Sequence, residues 1–306
     1  METGAIPLAK LDGPFDLQAT VESGQSYLWR RADGGMYDAL ACHGGDHWYE
    51  TVVPPIAGVS ETREVVRVRQ REGRLEWEST TDAVPLLTHL LRLDDDLDAI
   101  LAATPDEPVL RDAYGAYEGM RLVRDPPFPS LISFICSAQM RVSRIYEMQR
   151  RLAETYGDTV EFDDQRYHAF PRPEQLADAT ESELRELNLG SRAPYVTRTA
   201  EMIAGGEATV EDARELDYED AREHLTQFVG VGQKVADCVA LFSLGFLQAV
   251  PLDTWIRTAI ADYFPDCDRG GYEETSRAIR ERLGGAYAGY AQTYLFYYLR
   301  SRNEIE

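Results

Sequence analysis

Two hydrophobic periodicities divide the chain. Up to about residue 80, short stretches alternate apolar and polar positions or are rich in β-branched and aromatic residues: FDLQATV, SYLWRRA, MYDALAC, HWYETVV, EVVRVRQ and RLEWES, separated by Gly, Pro and Asp turns. That pattern predicts a set of antiparallel strands. From Val84 the apolar positions move to helical spacing, and beyond Ser130 the helical pattern is nearly continuous, broken at residues 171–173, 205–206 and 266–271. The expected fold class is therefore α+β. An antiparallel sheet domain with trailing helices should occupy 1–115, and a mostly helical domain 116–306, with no internal repeat and no low-complexity segment.

Residues 225–264 carry the most pointed pattern. Leu225 and Phe228 close one apolar-periodic segment, Gly230 and Gly232 flank Val231 in a tight turn, and a second helix begins with Gln233 and Lys234. A helix-hairpin-helix is thus expected at about 220–245. Such a turn aims successive backbone N–H groups at one point and suits a phosphate of a nucleic-acid backbone. Gly230, Val231, Gly232 and Gln233 are the candidate DNA contacts. Lys234 and Cys238, four apart, share a helix face. Pro251 ends the connector, and Asp253 stands at the N-cap of the helix that follows.

Lysine usage sharpens the reading of Lys234. Of 31 basic residues only Lys10 and Lys234 are lysine. For a phosphate contact arginine serves at least as well. What arginine cannot do is lose its proton and attack carbon, whereas a desolvated lysine amine can act as a nucleophile and form a Schiff base. Asp253 could then stabilise a developing sugar cation or shuttle protons, although a plain N-cap accounts for it equally well. A phosphate-binding lysine in a non-catalytic DNA-binding module is the competing reading of the hairpin.

GVGQKVADC followed by AVPLD resembles the helix-hairpin-helix superfamily of DNA base-excision glycosylases, and within it the 8-oxoguanine DNA glycosylases. SGQSYLW (23–29), SFICSAQMRVSRI (133–145), YHAFP (167–171), LNLGSRAPYV (187–196) and YAGYAQTYLF (287–296) resemble further segments of that family in the same order. The resemblance implies a bifunctional glycosylase and abasic-site lyase acting on damaged double-stranded DNA, with Lys234 and Asp253 catalytic. It implies base recognition by the Gly24 carbonyl, Cys238, Gln292 and Phe296. Gln139 would fill the gap left by the extruded nucleotide, and Arg192 would touch the opposite base. A carbonyl at Gly24 would meet the N7–H of 8-oxoguanine but the lone pair of guanine, while read alone Gly24 is a turn residue within the sheet. Gln139, Met140 and Arg141 replace asparagines of the eukaryotic pattern, Ser191 replaces an aromatic wedge and Trp255 a histidine. Tyr294, Tyr297 and Tyr298 read as packing, and His168 as structural. A monofunctional alkylbase glycosylase of the same fold, using water and Asp253, is the enzymatic alternative.

Composition then bounds the setting. Cys42, Cys136, Cys238 and Cys267 lie too far apart for a zinc finger or an iron-sulfur cluster, which separates the chain from the endonuclease III branch. No metal or organic cofactor is expected, with room for K⁺ or Na⁺ at the hairpin carbonyls as the resemblance allows. No segment reads as a leader or membrane span, so a soluble, cytoplasmic monomer is expected. A net charge of −22 opposes DNA binding. Near-absence of lysine with excess acid fits a halophile protein, since salt shortens the reach of charge to about 3 Å at 1 M. Residues 126–152 hold only one acid, Glu147, against Arg141, Arg144, Arg150 and Arg151, while acid gathers at 94–98 and 211–223.

Overall fold

The computed structural model describes residues 1–37 and 46–305. Five strands, β1 (Glu2–Pro7), β2 (Arg30–Arg31), β3 (Tyr49–Val53), β4 (Glu64–Arg71) and β5 (Arg74–Ser79), form an antiparallel sheet in the order β1-β5-β4-β3-β2. Val68 pairs with Trp77 on the buried face, and Arg67 with Glu78 and Arg69 with Glu76 on the other. The alternation of EVVRVRQ and RLEWES is thus the alternation of core and solvent. Ahead of β2 runs α1 (Leu17–Glu22), and α2 (Val84–Leu90) follows the sheet; their Leu17, Val21, Leu86 and Leu87 complete its core.

Three sequence expectations need correction in this half. FDLQATV is α1, not a strand. Asp16 caps it by accepting the Ala19 N–H at 2.7 Å, and every residue of the helix is buried, so its face carries no period to read. SYLWRRA contributes only Arg30–Arg31 to the sheet, because Trp29 enters the sheet core while Tyr27 enters the helical core. Ser23-Gly24-Gln25 consequently forms the exit of a buried helix rather than a turn of the sheet. The strand β1, at the sheet edge, was not among the expected ones. MYDALAC extends outside the described residues, as does Cys42.

The helical part comprises α3 (Leu97–Ala102), α4 (Pro108–Ala116), α5 (Pro127–Cys136), α6 (Val142–Tyr156), α7 (Pro173–Ala177), α8 (Glu181–Glu186), α9 (Ala193–Ala204), α10 (Tyr218–Leu225), α11 (Gln233–Val239), α12 (Thr254–Tyr263), α13 (Tyr272–Arg282) and α14 (Ala288–Ile305). Between α6 and α7 lies an unexpected hairpin, β6 (Thr159–Phe162) and β7 (Gln165–His168). Its turn residues Asp163 and Asp164 both take positive φ, +51° and +57°. TVEF-DD-QRYH is a two-residue hairpin signal that helical expectation overrode. One apolar core joins α5, α6, α9, α10 and α11, and a second joins α4, α12, α13 and α14. No described helix is long and apolar enough to cross a membrane.

Candidate active site

The hairpin between α10 and α11 depends on one glycine. Gly230 has φ +86°, and a Cβ there would come within 2.7 Å of the Tyr195 Cβ. Gly232 takes extended φ −94°, with open space where a Cβ would be, so the left-handed requirement expected of the glycine pair falls on Gly230 alone. The Val231 side chain is buried and its N–H is bonded to the Phe228 carbonyl at 3.1 Å. Gly232 opens α11 without a side-chain cap, so no N-cap side chain takes the N–H groups of the first turn. The Gln233 amide donates to Glu273 at 2.8 Å, fastening this turn to α13.

Lys234 follows on the first turn of α11, half-buried. Its Nζ donates to Ser137 Oγ at 2.9 Å and stands 5.9 Å from the centre of the Phe134 ring. Ser137 in turn donates to the Phe134 carbonyl at 2.7 Å, so the amine rests on the C-terminal end of α5. Lys234 makes no ion pair with a described carboxylate at contact distance. Asp253 caps α12, its Oδ1 accepting the Ile256 N–H at 2.8 Å. Burial pushes this carboxyl above the usual carboxylate range; the Ile256 N–H, the Lys234 charge and the Trp255 N–H oppose that rise. Capping and proximity to Lys234 therefore coexist in one side chain. Cys238, one turn beyond Lys234, is buried, and burial lifts its thiol to about 12 despite the lysine charge beside it. It is a neutral packing surface rather than a thiolate.

A second group of residues gathers where α1 meets α14. Gly24 has φ +97°, and a Cβ there would lie 2.7 Å from Arg300 Nη1, 3.1 Å from Val142 and 3.6 Å from the Phe296 ring. Gln292 is buried and donates to Thr293 Oγ1 at 2.7 Å; it lies one turn before Phe296 on α14. Arg300, one further turn on, was not singled out in the sequence. It donates to the Ser23 carbonyl at 2.7 Å and the Glu22 carbonyl at 3.3 Å, and packs against the Phe296 and Tyr297 rings. Its i+4 spacing from Phe296 was the available signal. Tyr27 bridges the two groups: its ring meets Phe134 edge-on at 6.1 Å, and Arg300, Cys238 and Asp253 all act on its hydroxyl, which burial holds above its ordinary range.

Between α5 and α6 the chain turns through Gln139, exposed and in the left-handed region at φ +54°. Arg192 donates to the neighbouring Ala138 carbonyl, bringing those two candidates side by side. Arg141 and Arg144 are exposed and pair with no described acid, but Arg150 and Arg151 are tied to Glu147, and Arg150 also to Glu154. The basic stretch is thus narrower than its composition implies. His168 lies half-buried on β7, and Cys136, Cys238 and Cys267 are buried free thiols.

Residues 132–284, half the chain, match the HhH-GPD superfamily base excision DNA repair proteins. The chain belongs to that superfamily. Residues 6–131 match the N-terminal domain of 8-oxoguanine DNA glycosylase, which accounts for the sheet and the helices after it. Among its relatives, this superfamily member is 31% identical to the N-glycosylase/DNA lyase of Saccharomyces cerevisiae, over 92% of this chain and 82% of the yeast protein. The 8-oxoguanine glycosylase/lyase of Clostridium acetobutylicum in its apo form superposes with a TM-score of 0.81 at 28% identity, over 97% of this chain and 96% of that one. The same clostridial enzyme bound to double-stranded DNA with cytosine opposite 8-oxoguanine gives 0.80 at 28% identity, over 95% and 93%.

Proposed function

We propose that this chain excises 8-oxoguanine from duplex DNA and nicks the strand, with Lys234 as its nucleophile. The observation that carries this is the setting of the one lysine in the helical domain: an amine held by a neutral hydroxyl rather than an ion pair, with the Asp253 carboxyl near enough to feel its charge. The extruded nucleotide would present its C1′ to Nζ. As the C–N bond forms, the glycosidic bond to the base breaks, Asp253 eases the sugar cation, and the proton leaving Nζ accompanies the departing base. Ring opening then gives the Schiff base. β-Elimination then removes a C2′ proton as the C3′–O bond breaks, the phosphate leaving on the 3′ fragment, and hydrolysis frees the lysine. The names of the yeast and clostridial relatives support this bifunctional chemistry over a water-dependent alkylbase glycosylase.

Recognition would fall to the residues gathered around α14. The Gly24 carbonyl would accept N7–H, Phe296 and Cys238 would sandwich the base, and Gln292 would bond its Watson-Crick edge. Gln139 would fill the emptied stack, as the few kcal/mol spent on extrusion require. Arg192 would meet the opposite base, and the backbone from Gly230 to Gln233 a phosphate. We take the working unit to be a cytoplasmic monomer, in keeping with four widely spaced cysteines that offer no disulfide framework. The test is release of free base from a duplex carrying one 8-oxoguanine opposite each of the four bases, followed under single turnover. Release with concurrent nicking is expected; release without nicking would favour the monofunctional alternative.

A further inference from the structure

Lys234 and Asp253 lie on different helices, and a buried carboxylate joins the two. Asp237, three residues after Lys234 on α11, has no solvent exposure. Its Oδ1 accepts the Tyr218 hydroxyl at 2.5 Å and its Oδ2 the Tyr272 hydroxyl at 2.7 Å. Tyr272 opens α13, and its oxygen accepts the N–H of Leu252 at 3.2 Å. Leu252 immediately precedes Asp253. Tyr272 therefore donates a hydrogen bond to the lysine helix and accepts one from the backbone that carries the catalytic carboxylate.

The polarity of this arrangement requires an acid. A phenol has one proton. While Asp237 accepts it, the lone pairs of Tyr272 are free to face Leu252; because the two tyrosines donate to different oxygens, an amide at 237 would set its NH2 donor against one of the two hydroxyls. The group is compensated from outside rather than left isolated. Arg222 lies 3.5 Å from the Tyr218 hydroxyl, the Arg280 guanidinium sits 4.5 Å from the Tyr218 ring, and Glu219 holds both arginines. Burial nevertheless raises the Asp237 carboxyl to about 6, with both phenols opposing that rise.

We propose that Asp237 and Tyr272 are positioning residues for base expulsion: through the Leu252 N–H they set Asp253 relative to the Lys234 amine. This rests on the catalytic reading of Lys234 and Asp253 given above. Expelling the base needs Asp253 in register with the sugar, whereas attack on the aldehyde of a pre-formed abasic site needs only the amine. The two reactions should therefore separate.

Tyr272→Phe keeps the ring against Arg257, 5.9 Å away, and removes only the hydroxyl. In the full-length protein, single-turnover base release from an 8-oxoguanine duplex should fall by about tenfold, the scale of a small misplacement of a catalytic group. Borohydride trapping on a pre-formed abasic duplex should stay within about twofold of wild type. Asp237→Asn should separate the two reactions in the same way, lowering base release and sparing trapping. A wild-type rate of base release in Tyr272→Phe overturns the inference, and so does a parallel fall of both reactions, which is what general loosening of the fold would give. A wild type that releases no base overturns the catalytic reading itself, and this inference with it.

Discussion

The guanidinium of Arg300 occupies the space beside Gly24 that any larger residue would need. A Cβ at position 24 would meet Arg300 Nη1 at 2.7 Å, in a backbone conformation, φ +97°, that L side chains rarely adopt. The same guanidinium bonds the Ser23 carbonyl and packs on Phe296. Position 24 is thus fixed by the last helix of the chain.

Gly24→Ala should accordingly lose base excision while retaining amine chemistry. Strain of this kind costs on the order of 1–3 kcal/mol, and relief would displace either the 24 carbonyl or Arg300. Base release from 8-oxoguanine duplexes should drop far more than borohydride trapping on abasic duplexes. Equal loss in both assays would remove Gly24 from base recognition.

The acid limb of base release should lie above the ordinary carboxylate range. Burial raises the Asp253 carboxyl, and the ionised form is the one that can ease a sugar cation, so the rate falls as pH drops through that raised value. Asp253→Asn should lower single-turnover release by about a hundredfold or more and abolish the limb. An unchanged limb in the variant would assign it to another group.

Asp125 should make stability fall with pH. Its carboxyl is buried and accepts the Ser26 hydroxyl at 3.0 Å, and burial lifts it to about 7. Because the folded value lies above the unfolded one, the folded state binds the extra proton. The contribution is complete below the unfolded value and is lost as pH rises through about 7. Asp125→Asn removes that dependence. Denaturant unfolding should show the variant gaining on wild type between about pH 4 and 7, by on the order of 4 kcal/mol at most. A constant difference between the two proteins across that window would contradict the assignment.

Salt should stabilise the protein. At a net charge of −22, self-repulsion opposes the compact state and is screened by added ions. The urea midpoint should rise as KCl is raised from about 0.1 M to molar concentrations, where the Debye length is about 3 Å. A flat or falling midpoint would remove the halophile reading of the composition.

Much of this site was legible in the sequence because its residues sit in regular elements. Lys234 and Cys238 are one turn apart, Asp253 is followed by a helix, and Gln292 and Phe296 share a face of α14. The strands β4 and β5 were equally readable, since Arg67 and Arg69 on one and Glu76 and Glu78 on the other keep one face partly open. What was hidden lies where burial is complete or contact is remote. α1 is buried on every side and so shows no periodicity. Arg300 reaches the Ser23 carbonyl across 277 positions, and Tyr272 reaches Asp237 across 35. No local pattern announces such pairings.

The central claim is amine chemistry at Lys234, and borohydride trapping tests it most directly. Wild type and Lys234→Arg are incubated at molar salt with an 8-oxoguanine duplex and borohydride, and any adduct is mapped by peptide mass spectrometry. A covalent adduct on Lys234 in wild type, absent from the variant although DNA is still bound, is the expected result. Base release by wild type without an adduct, or an adduct that persists in Lys234→Arg, would contradict the account.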